Sequence, residues 1–327
     1  MHDPLIRAGV RRIVSERLGA LTAAGPAAKR DFVEQCRKSP VPLVPPIGGA
    51  RHEDVPPAFF AALLGPRLAD SCALWDGAAT LADAEGRMLA ATALRAGIED
   101  GMAILDLGSG WGSFALWAAE RFPRSRVVAL SNSNEHGRAL VDRARRRGLY
   151  HVTATTADVS RFEAQGRFDR VVAIELFEHV RHHERLLARI ARWLAPDGRL
   201  FVQHACHREF AYPYEDRGRG DWMARHFLSG GMMPSADWLS HFDEDLVAEQ
   251  RWLESGAHYA ATHEAWLARL DAARNVVLPL LAEAYGPERA VRWLERWRIF
   301  LLTRAELFAH RGGSEWGVAH VLLAPRV

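Results

Sequence analysis

The sequence has few cysteines, and none of them lies in a metal-binding pair. Cys36, Cys72 and Cys206 are the three cysteines among 327 residues, and no C-x-x-C motif occurs. This excludes a zinc site built on paired thiolates and disfavours a disulfide framework, so the thiols suit a reducing compartment. We therefore expect no metal site in this chain.

Long apolar runs and a surplus of one charge are also missing. No apolar run reaches the roughly 18 residues of a membrane-spanning helix, and the N-terminus lacks the basic-then-apolar pattern of a signal peptide. Lys and Arg number 42 against 40 Asp and Glu, and the resulting net charge of +2 is too small to drive binding to nucleic acid or to an anionic membrane. The sequence predicts a cytoplasmic protein with no nucleic-acid partner and no stable membrane insertion.

From about residue 102 onward, strand-like and helix-like segments alternate. The predicted strands are 103–107, 127–130, 152–157, 168–174, 199–204 and 316–323, and the predicted helices are 113–121, 135–147 and 182–194. The turn Pro196-Asp197-Gly198 is expected to separate the last of these helices from the next strand. Strands that alternate with helices indicate a parallel, doubly wound α/β sheet.

Helical segments flank this alternating region on both sides. They are 1–40, 57–64 and 80–96 (with Thr80 as N-cap), then 262–285 and 287–309, while a proline-rich extended connector covers 39–49. Between the fifth strand and the late helices lies an aromatic-rich stretch punctuated by Gly230-Gly231. We expect residues 1–70 to form a helical cap and connector, residues 71–327 the catalytic domain, and residues from about 205 to 310 a lid inserted in it.

The most informative segment is AILDLGSGWG, which runs from Ala103 to Gly112. An apolar strand enters a turn with glycines at 108, 110 and 112, and glycines let a ligand approach the main chain closely. A dinucleotide fingerprint and a purely structural turn are the alternatives. The third glycine follows after one residue, however, whereas a dinucleotide loop reads G-x-G-x-x-G. The segment resembles the nucleoside-binding loop of a class I S-adenosylmethionine-dependent methyltransferase, with Asp106 at the ligand-binding edge of the sheet.

Three ionisable residues follow the fourth strand at that same edge. Glu175, Glu178 and His179 are placed to hold the cationic end of a ligand or to transfer a proton. The alternative is that Glu178 and His179 only cap and solvate the start of a helix.

Further motifs extend this pattern over residues 52–327. They are Val55-Pro-Pro-Ala-Phe-Phe60, Ser71-Cys-Ala-Leu-Trp75, Ser131-Asn-Ser133, Phe177-Glu-His179, Asp221-Trp222, Gly231-Met-Met-Pro-Ser235, Gly256-Ala-His-Tyr259, Ala305-Glu-Leu-Phe308 and Glu315-Trp316. In combination they resemble the cyclopropane-fatty-acid synthase superfamily of methyltransferases, and more closely its coclaurine N-methyltransferase-like branch. The resemblance implies a Rossmann-like, seven-stranded, mostly parallel sheet.

The resemblance also implies roles for individual residues. The residues implied to bind S-adenosylmethionine are Ser71, Asp106, Gly108, Gly110, Ser131, Asn132, His136, Asp158 and Val159. The residues that match a bicarbonate site of the synthases are Cys72, Glu178, His204 and Tyr259. Three departures matter. Asp70 stands where a tyrosine is usual, and His136 replaces a common glutamine. Glu175 stands where the lipid synthases commonly have glycine and the amine methyltransferases glutamate.

These residues predict a methyltransferase that acts on the nitrogen of a small aralkylamine or alkaloid-like amine. An amine must lose a proton before it attacks, and Glu175, Glu178 and His179 are the candidates for binding and deprotonating it. Methyl or methylene transfer to an unsaturated lipid, with a bound bicarbonate, is the alternative activity. A catalytically silent cofactor-binding protein is a third hypothesis. The sequence is compatible with a homodimer.

Overall fold

The structure is a computed structural model that describes residues 2–40, 55–216, 218 and 221–326. Most of the predicted connector over 39–49 lies outside the described residues.

A seven-stranded sheet forms the centre of the fold, in the order β3-β2-β1-β4-β5-β9-β8. The strands of this sheet are β1 (Ala103–Leu107), β2 (Arg126–Ser131), β3 (Val152–Thr156), β4 (Phe168–Ile174), β5 (Leu194–His207), β8 (Leu246–Ser255) and β9 (Trp316–Pro325). Strands β1 to β5 pair in parallel, whereas β9 is antiparallel to both β5 and β8. The predicted α/β class and mostly parallel sheet are confirmed. A separate two-stranded ribbon pairs β6 (Tyr212–Pro213) with β7 (Met232–Met233).

Helices pack on both faces of the sheet and beyond the carboxyl ends of its strands. They are α1 (Asp3–Lys38), α2 (Pro57–Leu63), α3 (Leu81–Arg95), α4 (Ser113–Arg121), α5 (Asn134–Arg146), α6 (His183–Trp193), α7 (Trp222–His226), α8 (Gly256–Ala272), α9 (Arg274–Tyr285) and α10 (Pro287–Ala309). Apolar residues of α3, α4 and α5 pack on one face, and those of α6 and the end of α1 pack on the other. Thr80 caps α3 as predicted, because its hydroxyl accepts the Asp83 N–H at 3.2 Å.

A third apolar cluster lies beyond the carboxyl ends of the strands. It joins α1, α2 and α8 to α10 with Trp111 of the glycine turn, Ala205 at the end of β5 and the β6–β7 ribbon. Helix α1 is tied to this layer by charge, because Arg7 contacts Glu264 at 2.5 Å and Glu306 at 2.9 Å. The α1, ribbon and α8–α10 segments therefore lie over the edge at which open α/β sheets bind ligands.

Two strand predictions are wrong in detail. Strand β5 begins at Leu194 rather than at residue 199, and Pro196-Asp197-Gly198 forms a bulge within it, because the register with β4 shifts there. Strand β8 was not predicted at all, and it lies inside the span of about 205–310 that was expected to be lid. It is an edge strand interrupted by three consecutive exposed polar residues, Glu249, Gln250 and Arg251, so it lacks the apolar run by which the buried strands are recognised.

The late helices also differ from expectation. The segment predicted as one helix over 262–285 is two helices, α8 and α9, which meet at Ala273. Helix α8 begins at Gly256, six residues early, and the Ser255 hydroxyl caps it by accepting the Ala257 N–H at 3.2 Å. A Cβ at Gly256 would overlap the Trp316 carbonyl oxygen, so only glycine lets α8 start this close to β9.

Within the described ranges, no helix is long and apolar enough to span a bilayer. The same ranges contain no group of three His, Cys, Asp or Glu side chains arranged to hold a metal ion. Cys36, Cys72 and Cys206 are buried free thiols.

Candidate active site

The three glycines of the turn after β1 have different surroundings. All have positive φ, namely 82° at Gly108, 48° at Gly110 and 77° at Gly112. A Cβ on Gly108 would lie 3.1 Å from Leu176 Cδ1, and one on Gly112 would lie 2.5 Å from Leu140 Cδ1. A Cβ on Gly110 would meet no protein atom within 4 Å. Gly108 and Gly112 thus allow close packing inside the protein, and Gly110 alone leaves its surroundings open to a ligand.

Buried polar atoms surround this turn. The Asp106 carboxylate is buried and accepts the Ala115 N–H at 3.1 Å, and burial raises its pKa to about 7. The hydroxyl oxygens of Ser109 and Ser113 are buried and have no hydrogen-bond partner among the described residues. Buried polar groups in proteins are normally paired, so these two hydroxyls indicate a place for a polar ligand.

The next two strands contribute further polar residues to this edge. After β2, the Ser131 hydroxyl contacts His136 Nδ1 at 3.3 Å, and the His136 ring lies 4.2 Å from that of Trp111. After β3, Asp158 is exposed and accepts the Ser160 N–H at 2.7 Å. The other residues implied to bind cofactor at this edge are Asn132, which is exposed, and Ser71 and Val159, which are half-buried.

Glu175 follows β4 directly and joins distant segments of the chain. Its φ is 50°, a conformation that costs a non-glycine residue on the order of 1–3 kcal/mol. The Cys72 N–H donates to Glu175 Oε1 at 2.9 Å, and the Tyr259 hydroxyl donates to Oε2. Gln203 Nε2 donates a longer bond to Oε1, at 3.4 Å. Burial raises the pKa of Glu175, and these donors orient the carboxylate and oppose that shift by favouring its ionised form.

Glu178 is the second carboxylate, on the short 3-10 turn Phe177–His179. Its Oε1 accepts the Ala205 N–H at 2.6 Å, while its Oε2 is buried without a partner among the residues described. Burial, with the negative charge of Glu175 as the next cause, raises the pKa of Glu178 to about 8. Two neighbouring buried carboxylates do not ionise together easily, so near neutral pH the pair retains a proton, on Glu178.

The remaining predicted catalytic residues are placed differently. His204 is buried, with Nδ1 at 3.0 Å from the Ala205 carbonyl oxygen, and burial lowers its pKa to about 4. Burial raises the pKa of the Cys72 thiol well above the ordinary value, so the thiol stays protonated. Cys72 acts on Glu175 through its backbone N–H instead. His179 is exposed, with its Nδ1 beside Gly231, which directly precedes β7. The structure thus brings Cys72 and Tyr259 together on Glu175.

Two residues near this centre were not found from the sequence. Gln203 lies on β5, and Arg304 lies on α10 with its guanidinium carbon 5.0 Å from the centre of the Tyr259 ring. The sequence held a signal for each, because each is a polar residue within an otherwise apolar strand or helix face.

Comparison with known proteins gives consistent results. The chain matches the family described as "Mycolic acid cyclopropane synthetase" over residues 48–312. It is 36% identical to (S)-coclaurine N-methyltransferase of Thalictrum flavum subsp. glaucum, over 82% of this chain and 76% of that protein. It is 28% identical to cyclopropane-fatty-acyl-phospholipid synthase of Escherichia coli (strain K12), over 83% of this chain and 67% of that protein.

The similarity extends to solved structures. A crystal structure of coclaurine N-methyltransferase bound to N-methylheliamine and SAH superimposes with a TM-score of 0.91 at 32% identity. The superposition covers 99% of this chain and 95% of that one.

Proposed function

This chain belongs to the mycolic acid cyclopropane synthetase family, and we propose that it is an S-adenosylmethionine-dependent methyltransferase that acts on the nitrogen of a small amine. The observation that carries the proposal is the Glu175–Glu178 pair, a buried anionic centre beside the glycine turn. The relation to (S)-coclaurine N-methyltransferase and to its complex with SAH supports both the cofactor and the class of acceptor.

The residues around the glycine turn fit such a cofactor. The open side of Gly110 and the unpaired Ser109 and Ser113 hydroxyls provide room and hydrogen-bonding groups, and we propose that Asn132 and Asp158 bind the ribose and adenine end. S-adenosylmethionine, when bound, supplies a methyl group that is already activated by the sulfonium charge. The protein's task is therefore alignment of the acceptor and control of its protonation.

The two carboxylates divide this task. Ionised Glu175, held by Cys72 and Tyr259, attracts the substrate ammonium by charge. Glu178, once ionised, has a free Oε2 that accepts the proton which the amine must lose. Burial of both groups excludes water and strengthens each of these interactions.

The alternative activity, transfer to a lipid with a bound bicarbonate, is less well supported. Two of the groups that would bind bicarbonate are already engaged, because the Cys72 N–H and the Tyr259 hydroxyl donate to Glu175. We propose that the planar Glu175 carboxylate replaces the bicarbonate ion, and that this chain needs none.

The first prediction is the test of the function. With S-adenosylmethionine labelled on its methyl group, the protein should label small amines and leave unsaturated phospholipid vesicles unlabelled. Omission of bicarbonate should not change the rate. Labelling of phospholipid with none on any amine would move the chain to the lipid activity, and cofactor binding without labelling of either class would support a catalytically silent protein.

The second prediction concerns pH. Because Glu178 must be ionised to accept a proton and its pKa is about 8, kcat/KM should fall as pH drops below about 8. Glu175→Gln removes the neighbouring negative charge, so the acid limb should move to lower pH, on the order of one unit, while the rate at its plateau falls. The acceptor's own ionisation is the same for both enzymes, so the difference between their profiles isolates Glu178. An unmoved or upward-shifted limb in Glu175→Gln contradicts this assignment.

We retain cytoplasmic location and a homodimer as proposals from the sequence. The absence of a nucleic-acid partner is likewise a proposal that rests on the balanced charge.

A further inference from the structure

Arg304 carries a buried positive charge beside the two carboxylates. It is 8% exposed on α10, and its guanidinium carbon lies 5.0 Å from the centre of the Tyr259 ring and 4.7 Å from that of Phe308. Arginine keeps its charge under all physiological conditions, and a buried charge is costly unless it is paired.

The pairing of Arg304 is incomplete. Its hydrogen bond within 3.5 Å runs from Nε to His263 Nε2, at 3.4 Å. That histidine is neutral, because burial lowers its pKa well below the ordinary value and its Nδ1 contacts the Tyr259 carbonyl oxygen at 2.8 Å. Among the described residues Arg304 forms no ion pair within 4.0 Å, although a side-chain hydrogen bond with Tyr259 and the charge of Glu175 also favour its charged form. The N–H groups of Nη1 and Nη2 thus have no acceptor within 3.5 Å among the described residues.

Another arginine of the same helix, Arg298, has a side chain that is 12% exposed and is fully paired. Arg298 has carboxylate oxygens of Asp271 at 2.6 Å, Asp3 at 2.9 Å and Glu295 at 3.5 Å. The two side chains differ in surroundings rather than in secondary structure, so the lack of a partner at Arg304 is a property of the site.

A buried hydroxyl lies close to Arg304. Tyr214, just after the β6 strand, has a hydroxyl that is buried without a hydrogen-bond partner in the described part of the chain. Burial raises the pKa of this phenol, and the charges of Arg304 and Arg17 together with a longer-range hydrogen bond to Tyr212 oppose that shift, with Arg304 the largest of the three. Arg304 and the Tyr214 hydroxyl therefore lie in the same region as Glu175 and Glu178. The arginine can attract an anionic group of a ligand, and the carboxylates can attract a cationic one.

We propose that Arg304, with Tyr214, binds an anionic oxygen group of the acceptor, a carboxylate or a phenolate, while Glu175 holds its ammonium. The preferred acceptors are then amines with both charges rather than plain cationic amines. The anionic oxygen supplies the partner that Arg304 lacks, and a site built to pair a substrate oxygen rejects analogues without it because its own polar groups are left unpaired. This inference rests on the proposed amine methylation.

The third prediction tests this recognition with three matched acceptors: phenethylamine, tyramine, which adds a phenol, and phenylalanine, which adds a carboxylate. The intact protein should prefer at least one oxygen-bearing acceptor over phenethylamine by at least tenfold in kcat/KM. Arg304→Met should abolish that preference through KM, with KM for phenethylamine nearly unchanged, and Arg304→Lys should retain part of it. The acceptor that loses most identifies the oxygen group.

Two further variants provide a control and an independent test. Arg298→Met removes a fully paired arginine from the same helix and should leave the preference intact. Tyr214→Phe keeps the ring and should weaken the oxygen-bearing acceptor several-fold even if Arg304→Met does not fold. Calorimetric binding of the three compounds in the presence of S-adenosylhomocysteine tests recognition without turnover.

The outcomes separate the competing explanations. An equal loss of kcat on all three acceptors in Arg304→Met would make this arginine a positioning residue for Tyr259 and Glu175 and overturn the proposal. Amine methylation without any preference in the intact protein would overturn it as well. If no amine is methylated, the proposed function fails, and binding of tyramine or phenylalanine that does not depend on Arg304 then overturns the inference separately.

Discussion

Replacing Glu178 with glutamine is expected to lower kcat on the true amine acceptor by about 10²- to 10⁴-fold, the usual contribution of a positioned general base. Glutamine keeps the size of the side chain and can still accept the Ala205 N–H, but its second terminal atom can no longer accept a proton. Steady-state rates with labelled methyl donor measure the loss. Cofactor affinity, measured by calorimetry, should stay within about twofold, because Glu178 belongs to the acceptor side of the site.

A stability measurement shows that the variant is folded, and its sign follows from the pKa of Glu178. The folded-state pKa of about 8 lies above the ordinary 4.5, so the folded protein holds a proton on Glu178 that the unfolded chain releases more easily. This proton stabilises the folded state fully below pH 4.5, and the stabilisation is lost as pH rises through 8. Glu178→Gln has no such loss and should unfold at a higher temperature than the intact protein above pH 8. Full turnover in Glu178→Gln would transfer the role of base to another group, with His179→Ala as the next variant.

The parts of the site that the sequence predicted are those encoded within a short segment. The strand, glycine turn and helix of residues 103–121 are contiguous, and so is the exit of β4 with Glu175 and Glu178. Periodicity and glycine spacing are local signals, and the strand ends of a parallel sheet converge on one edge. The positions of these two groups therefore follow from the sequence alone.

The partners of those groups could not be predicted in the same way. Cys72 and Tyr259 lie 103 and 84 residues from Glu175 along the chain, and only the family resemblance singled them out. Arg304 and Tyr214 had no such motif, and their meeting depends on how α10 and the ribbon pack over the sheet edge. The missed strand β8 has a similar cause, because an edge strand interrupted by exposed polar residues is stabilised by its pairing with β9 rather than by an apolar run.

For the glycine turn, the sequence predicted the location correctly but explained only part of the need for glycine. Three glycines were attributed to close approach of a ligand, whereas Gly108 and Gly112 are required by the side chains of Leu176 and Leu140. Packing and ligand binding impose the same residue type, and only the positions of neighbouring atoms separate the two demands. Substitutions at these glycines should therefore have different consequences.

Gly110→Val is expected to lower the affinity for S-adenosylmethionine by at least about 100-fold while the fold survives. Its side chain would occupy the space that a ligand needs against the main chain, and a Cβ at this position meets no protein atom within 4 Å. Its φ of 48° adds strain, and Gly148→Val controls for this, since Gly148 has a φ of 71° in equally open surroundings away from the turn. That control should be destabilised to a similar degree and bind cofactor normally. Gly112→Val should instead lose the fold, because its Cβ would overlap Leu140. Calorimetry and thermal unfolding measure both quantities, and unchanged affinity in a folded Gly110→Val would place the cofactor elsewhere on the sheet edge.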